Sequence, residues 1–418
     1  MTNPLDRRGR IARNRLLWAA FILAMTFVLT VCGVQAHAQT YSILHTFTGS
    51  DGSSPTSTLI PDGRGNLYGT TEYGGSLDAG TVFELKRSDS GWVLNTLYSF
   101  TGIRGGDGAY PVNYGGLTVG PDGAFYGTTV QGGVFSGSNS LGTVFIVRPS
   151  PTRCQTAQCP WSDEVLHEFA GHPNDGEQPS GNVAFDSAGN LYGTTTQGST
   201  AGSIFEMSPS NGEWTERIIP GTTVGEVDGG VALDPSGNLY AACRYCGTHG
   251  KGAIVQVARS GFSWTTNILY SFTGNADGGF PVGGLILDHA GNIYGSTESA
   301  GSGFGGTVFQ LSPEAGGGWT FNLLCSLGGT RGPQSALARD ASGNLYGTTM
   351  YDDGGGSVFK VANNGSGWTC ISLHDFSQDG QGVAPVGGVA VDANGNVFGT
   401  TSGGGGSGNG GVIFEITP

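Results

Sequence analysis

Five aspartates recur at equivalent places along this chain. Asp51, Asp107, Asp175 and Asp277 each stand four residues before a proline, as in "DGAYP" and "DGGFP", and Asp379 does so with two extra residues. Carboxylates gathered on one rim would suit a hard cation such as Ca²⁺, or a cationic ligand, because such ions take oxygen donors. Asp followed by Gly is also ordinary turn chemistry, with the carboxylate capping nearby amides and the glycine supplying the unusual dihedral. The turn accounts for the pair without any ion, so the sequence requires no cofactor.

The other groups with chemical potential are cysteines and histidines. Cys154 and Cys159 bracket an insertion, "RCQTAQCPW", where a disulfide is expected to pin a long loop. Cys243 and Cys246 lie in "CRYCGTH" with His249, a spacing open to a redox pair, half of a zinc site or a local bond. Gly247 stands where haem attachment needs His, and further zinc ligands cannot be placed, which leaves a local disulfide or two thiols. Cys325 and Cys370 fall at non-equivalent repeat positions, which argues against pairing. His45, His167 and His374 share one repeat position with Tyr98, Tyr270 and Cys325, the mark of a structural slot rather than a metal cluster. No Ser-His-Asp set, paired-His motif or phosphate loop can be assembled.

The elements that must carry these residues are written seven times. The phrase D-x-x-G-N-L-Y-G-T-T begins at Asp62, Asp186, Asp234, Asp288, Asp340 and Asp392, and "GPDGAFYGTT" is a weaker copy with Gly120 in the Asp position. The aromatic residues Tyr68, Tyr126, Tyr192, Tyr240, Tyr294, Tyr346 and Phe398 are spaced by 58, 66, 48, 54, 52 and 52 residues. Each copy holds four short runs of β-branched and aromatic residues between glycine turns, as in "GGLILD", "NIYGST", "GTVFQL" and "WTTNILYSF". This predicts an all-β chain: a seven-bladed β-propeller of four-stranded antiparallel blades. The last copy stops at "GVIFEITP", and residues 41–49, "YSILHTFTG", match the missing fourth strand. The ring is therefore expected to close by the N-terminal mature strand completing the last blade. Trp92, Trp161, Trp214, Trp264, Trp319 and Trp368 open the fourth strands; regular spacing points to packing rather than to sugar-stacking platforms.

Alternate loops of a propeller lie on opposite faces. The second-to-third-strand loops share a face with the blade connections, which places the five aspartates beside Glu72, Tyr73, Asp78, Gln131, Glu298, Tyr351, Asp352 and Asp353. A site specialised in one place should come from residues that vary between copies, so Glu72, Tyr73, Glu298, Tyr351, Asp352 and Asp353 are the ligand candidates there. Two connections, "VGEVDGG" and "TRGPQS", break the Asp-to-Pro pattern.

Composition and ends bound the setting. Of 418 residues 78 are Gly and 12% are charged, yet 37% are hydrophobic, which favours many short strands over a disordered chain. Five arginines precede the apolar run from Leu16 to Val34, and Ala36-His37-Ala38 forms a cleavage signal. Residues 1–38 read as a signal peptide, long enough in its apolar part to serve uncleaved as an anchor, and 39–418 as a single propeller domain. No other run would span a bilayer. Without 1–38 the chain keeps 13 Lys and Arg against 31 Asp and Glu, a net charge of −18. Such a surface repels phosphate backbones, so nucleic acid is not an expected partner.

At "GNLYGTT" and "GTVF" the sequence resembles the Gloeo–Verruco ("GloVer") tandem-repeat proteins of bacterial envelopes, over essentially all of 41–418. The resemblance implies a secreted, periplasmic or cell-surface protein and brings no catalytic residues with it. A non-catalytic binding or structural module, with a glycan or an envelope protein as partner, is the favoured expectation. The alternative is a metal-dependent lactonase- or lyase-like propeller enzyme with its site at the channel mouth. Against it, first strands such as "GGLTV", "GNVAF" and "GGVAL" offer almost no ligand to a channel.

Overall fold

The computed structural model describes residues 39–418 apart from 104, 112–114, 134–140, 150–160, 172–174, 198–201, 221–224, 262, 352–353, 366, 377–380 and 407. The expected leader at 1–38 and the Cys154–Cys159 bond lie outside the described residues, as do Asp352, Asp353 and Asp379. Thr40–Thr417 form one compact unit of seven antiparallel sheets arranged as a seven-bladed β-propeller. The first blade shows the plan: Ile60–Pro61, Leu67–Thr71, Thr81–Ser88 and Gly91–Ser99, paired in that order. The later blades begin at Ala109, Glu177, Ala232, Gly279, Ala338 and Ala390. Thr40–Thr46 pairs with Val412–Thr417 as the outer strand of the seventh blade, so the ring closes as the sequence implies.

Most letters of the repeated phrase have a physical task. Asp186 Oδ1 accepts the amides of Ala188 and Asn190, while its Oδ2 accepts the Asn190 side-chain amide and the Tyr192 hydroxyl. The same set forms around Asp234 and Asp288. The glycine between takes φ of 79 to 85° in all seven copies, a region that costs other residues strain. The glycine after Tyr makes room for the phenylalanine of "TVF" on the third strand: a Cβ there would stand 2.3–2.7 Å from the ring's Cζ at Gly69, Gly127, Gly193, Gly295, Gly347 and Gly399. In the fourth blade this position is Ala241, and its partner shrinks to Val255. The final threonine pairs with the hydroxyl that opens the third strand, as in Thr71–Thr81 at 2.8 Å and Thr297–Thr307 at 3.0 Å.

The tryptophans pack. Trp92, Trp214, Trp264 and Trp319 meet Phe398, Tyr126, Tyr192 and Tyr240 of the preceding blade edge-on, with centroids 6.2–6.4 Å apart. In the outer strands Leu44, Leu97, Leu166, Leu269, Leu324 and Leu373 each fall at a β-bulge, left out of the pairing, and pack against the cores instead. The residue after the leucine faces the connection to the next blade at His45, Tyr98, His167 and Tyr270.

At the axis the first strands meet backbone to backbone at all seven junctions. Thr58 N donates to Gly115 O at 3.1 Å, and Asn182 bridges Gly230. Added Cβ atoms at Gly229, Gly283 and Gly387 would stand 1.9, 2.4 and 2.7 Å from backbone atoms of Gly283, Ser335 and Ser57. Gly115 against Asn182 and Gly388 against Ala336 complete the circle. Seven strands at the roughly 4.8 Å spacing of paired neighbours close on a circle about 5.5 Å in radius. This is why the first strands are written in glycine, serine and alanine.

Candidate binding face

The four described rim aspartates each clamp the end of an outer strand to the connection that follows. Asp51 accepts the Thr48 amide and hydroxyl, both at 2.9 Å, and lies 2.9 Å from His45 Nε2. Asp107 takes the Thr101 amide and hydroxyl together with the Tyr98 hydroxyl. Asp175 takes the Ala170 amide at 2.8 Å and stands 3.1 Å from His167 Nε2. Asp277 takes the Thr273 amide at 2.8 Å and the Tyr270 hydroxyl at 3.1 Å. The slot shared by His and Tyr is thus the partner of the aspartate. Burial raises the Asp277 carboxyl, but bonds from Thr273 and Tyr270 outweigh it and hold the group below its ordinary value of 3.8.

That shift sets a sign. A depressed carboxylate contributes stability that is present above about pH 3.8 and is lost as the pH falls through its lower folded value. Asp277→Asn is therefore expected to lower the urea midpoint at pH 7, with the difference from wild type shrinking toward pH 2. A difference independent of pH would mean that the carboxylate's charge plays no part in the clamp.

Neighbouring blades meet between two outer-strand positions, six residues after one Trp and two after the next. Tyr41 stacks on His374 with centroids 4.0 Å apart, and Tyr270 stacks on Phe321 at 4.5 Å. Cys325 and Cys370 occupy the same pair of positions and form a disulfide, with Cα atoms 6.0 Å apart. Comparison of equivalent positions argues against this bond; the blades touch at offset ones. Asp163 faces Tyr98 in this register, and burial raises its carboxyl. Glu216 faces His167 and Asp175. Burial first and Asp175 second push the Glu216 carboxyl up to about 7, with His167 opposing.

The two connections that break the aspartate pattern hold a charge network instead. Arg244, from "CRYC", reaches Glu226 at 3.8 Å, Asp228 at 3.4 Å and Glu298. Arg331, from "TRGPQS", bonds the other oxygen of Glu298 at 2.9 Å, and Gly332 N donates to Glu298 O at 2.8 Å. The Asp228 side chain is 3% exposed; burial, then Glu226, push it up to about 6 against the pull of Arg244. Arg244 Nε is buried and has no hydrogen-bond partner among the described residues. The Cys243–Cys246 disulfide brackets Arg244 and Tyr245, which settles the C-x-x-C pair as a local bond.

Aromatic rings surround this network. The Arg244 guanidinium lies 5.4 Å over the Tyr245 ring, which packs edge-on against Phe280. Lys251 Nζ lies 4.9 Å over Phe280. Phe280 is half-buried and takes φ 58° just before Pro281, a strained setting that its amide's bond to Lys251 O offsets. Tyr245 is 50% exposed and Phe304 76%. Tyr351 pairs through its backbone with the Arg331 connection. Of the sequence candidates, the structure therefore brings Glu298 and Tyr351 to one patch. Glu72 and Tyr73 belong to the first blade, Tyr73 packs on Tyr110 of the second, and neither joins the patch. Arg244, Arg331, Glu226 and Asp228 were missed; for the last three the signal was the broken repeat in those two connections, while Arg244 stands inside the C-x-x-C pair.

The sequence matches the Gloeobacter/Verrucomicrobia repeat over residues 30–218, 113–286 and 199–353. The chain belongs to this repeat family. Among curated proteins none matches it. Solved structures similar to this family member include PorZ, a surface component of the type-IX secretion system of Porphyromonas gingivalis, at 14% identity and a TM-score of 0.51. That match covers 89% of this chain and 48% of PorZ, so the chain spans about half of PorZ's length. A putative 6-phosphogluconolactonase from Bacteroides uniformis matches at 16% identity and a TM-score of 0.51, covering 83% of this chain and 93% of that one. At these identities the likeness extends to the fold alone.

Proposed function

We propose that this Gloeobacter/Verrucomicrobia repeat protein is an exported, non-catalytic propeller that binds a glycan or protein at the cell envelope or outside the cell. The observation that carries the reading is the gathering of non-repeated groups on one face of the fourth to sixth blades. There Arg244, Glu298 and Arg331 lie beside Tyr245, Phe280 and Tyr351. Exposed and half-buried rings beside fixed charges supply both the apolar contact and the directional bonds that recognition uses. The leader expected at 1–38 and the acidic mature chain agree with export, and a surface component is among the proteins of similar fold. The enzyme alternative has less support, since first strands such as "GGLTV", "GGVAL" and "GGLIL" bring almost no metal ligand to the axis where a channel site would form.

The test is binding of the purified protein to a glycan array and to isolated envelope fractions, beside a Tyr245→Ala/Phe280→Ala variant shown to be folded. Loss of at least roughly tenfold in affinity is expected from removing two contact rings. Unchanged binding by the variant would move the site elsewhere. Turnover of lactones abolished by Asp228→Asn would replace the binding reading with the enzymatic one.

A further inference from the structure

We infer that His167, Asp175 and Glu216 form a site for a divalent metal ion of the zinc class at the junction of the second and third blades. Their ligand atoms all lie within 4.8 Å of one another, which makes them the one group of three such residues so gathered among the described residues. His167 Nε2 is 3.1 Å from Asp175 Oδ2, and the His167 ring is fixed edge-on against Phe169. Glu216 Oε1 is shut off from solvent and has no hydrogen-bond partner among the described residues. A carboxylate oxygen buried without a partner beside a second carboxylate is unfavourable unless a proton or a cation balances it, and a cation can take the three ligand atoms together.

The repeat itself shows that Glu216 is not needed for the clamp. His45 and Asp51 make the same His–Asp pair at 2.9 Å, and there the position two residues after the next Trp is Leu94. The register is also one the chain already uses for a cross-link. His167 stands six residues after Trp161 and Glu216 two after Trp214, as Cys325 and Cys370 stand to Trp319 and Trp368, and those cysteines are covalently joined. An ion held by His167 and Asp175 on one side and Glu216 on the other would tie two blades where the disulfide ties two others. One imidazole and two carboxylates suit Zn²⁺ or Mn²⁺ better than Ca²⁺, which takes six to eight oxygens. Three protein ligands leave a coordination position for water.

Calorimetric titration of the chelator-stripped protein with Zn²⁺, and absorption spectroscopy with Co²⁺, test the site in wild type, Glu216→Gln, His167→Gln and His45→Gln. One ion per chain is expected, with visible Co²⁺ bands. Binding should weaken in Glu216→Gln and His167→Gln by at least the roughly tenfold that losing even an outer hydrogen-bond partner costs a metal site. His45→Gln should bind as wild type does. Circular dichroism of each metal-free variant separates a lost ligand from a lost fold, and either ligand variant alone suffices. Equal affinity in wild type and a folded ligand variant, or no saturable binding to wild type, would overturn the assignment.

Discussion

Gly229→Ala is expected to destabilise the ring by at least about 3 kcal/mol, while Gly316→Ala changes stability by no more than about 0.5 kcal/mol. Each variant adds one methyl group. At Gly229 the added Cβ would stand 1.9 Å from both the carbonyl carbon and the carbonyl oxygen of Gly283; at Gly316, in an exposed hairpin, it meets nothing within 4 Å. Overpacking a core usually costs about 1–3 kcal/mol because side chains can shift. Here the obstacle is backbone, and Gly283 is itself pressed against Ser335 on its other side. Relief at one junction would have to pass around a closed ring. Urea unfolding midpoints measure the difference. Equal midpoints would show that the first strands part easily at the axis.

The repeated part of the structure was legible because each copy solves the same local problem. The hairpin aspartate, its glycine and the Tyr-Gly-Thr-Thr strand are short-range chemistry, and seven copies make the pattern unmistakable. The patch around Arg244 was less legible, since its members come from three blades and are 87 residues apart from Arg244 to Arg331. Only the loss of the aspartate in "VGEVDGG" and "TRGPQS" marked where to look. The Cys325–Cys370 bond was misjudged for a geometric reason. Aligning blades compares like positions, whereas an outer strand packs on its neighbour four residues out of step, which also hid the approach of Glu216 to His167.

Deleting Thr40–Phe47 is expected to abolish the folded monomer, although it removes a single strand. Thr40–Thr46 pairs with Val412–Thr417 at six positions, and without it that strand becomes an open, apolar edge. The segment also joins two blades. Tyr41 packs against His374, Phe376 and Phe414 of the sixth and seventh, while the fully buried Phe47 packs edge-on against Phe83 of the first. Truncating one buried phenylalanine costs about 3–5 kcal/mol. Losing the whole strand exceeds the roughly 5–15 kcal/mol that a folded domain has in hand. A permuted chain that starts at Thr48 and carries Thr40–Phe47 after Pro418, through a short hairpin, separates closure from sequence content. Thr40 already faces Thr417, so the outer strand would follow the third strand directly, as it does in the other six blades. Its urea midpoint should lie within about 1 kcal/mol of wild type, and its size-exclusion profile should remain monomeric. If the deletion variant were as stable as wild type, the outer strand would be decoration and the ring would owe its integrity to the axis alone. Recovery by the permuted chain would show that the ring needs the strand in its place and does not depend on where the chain is cut.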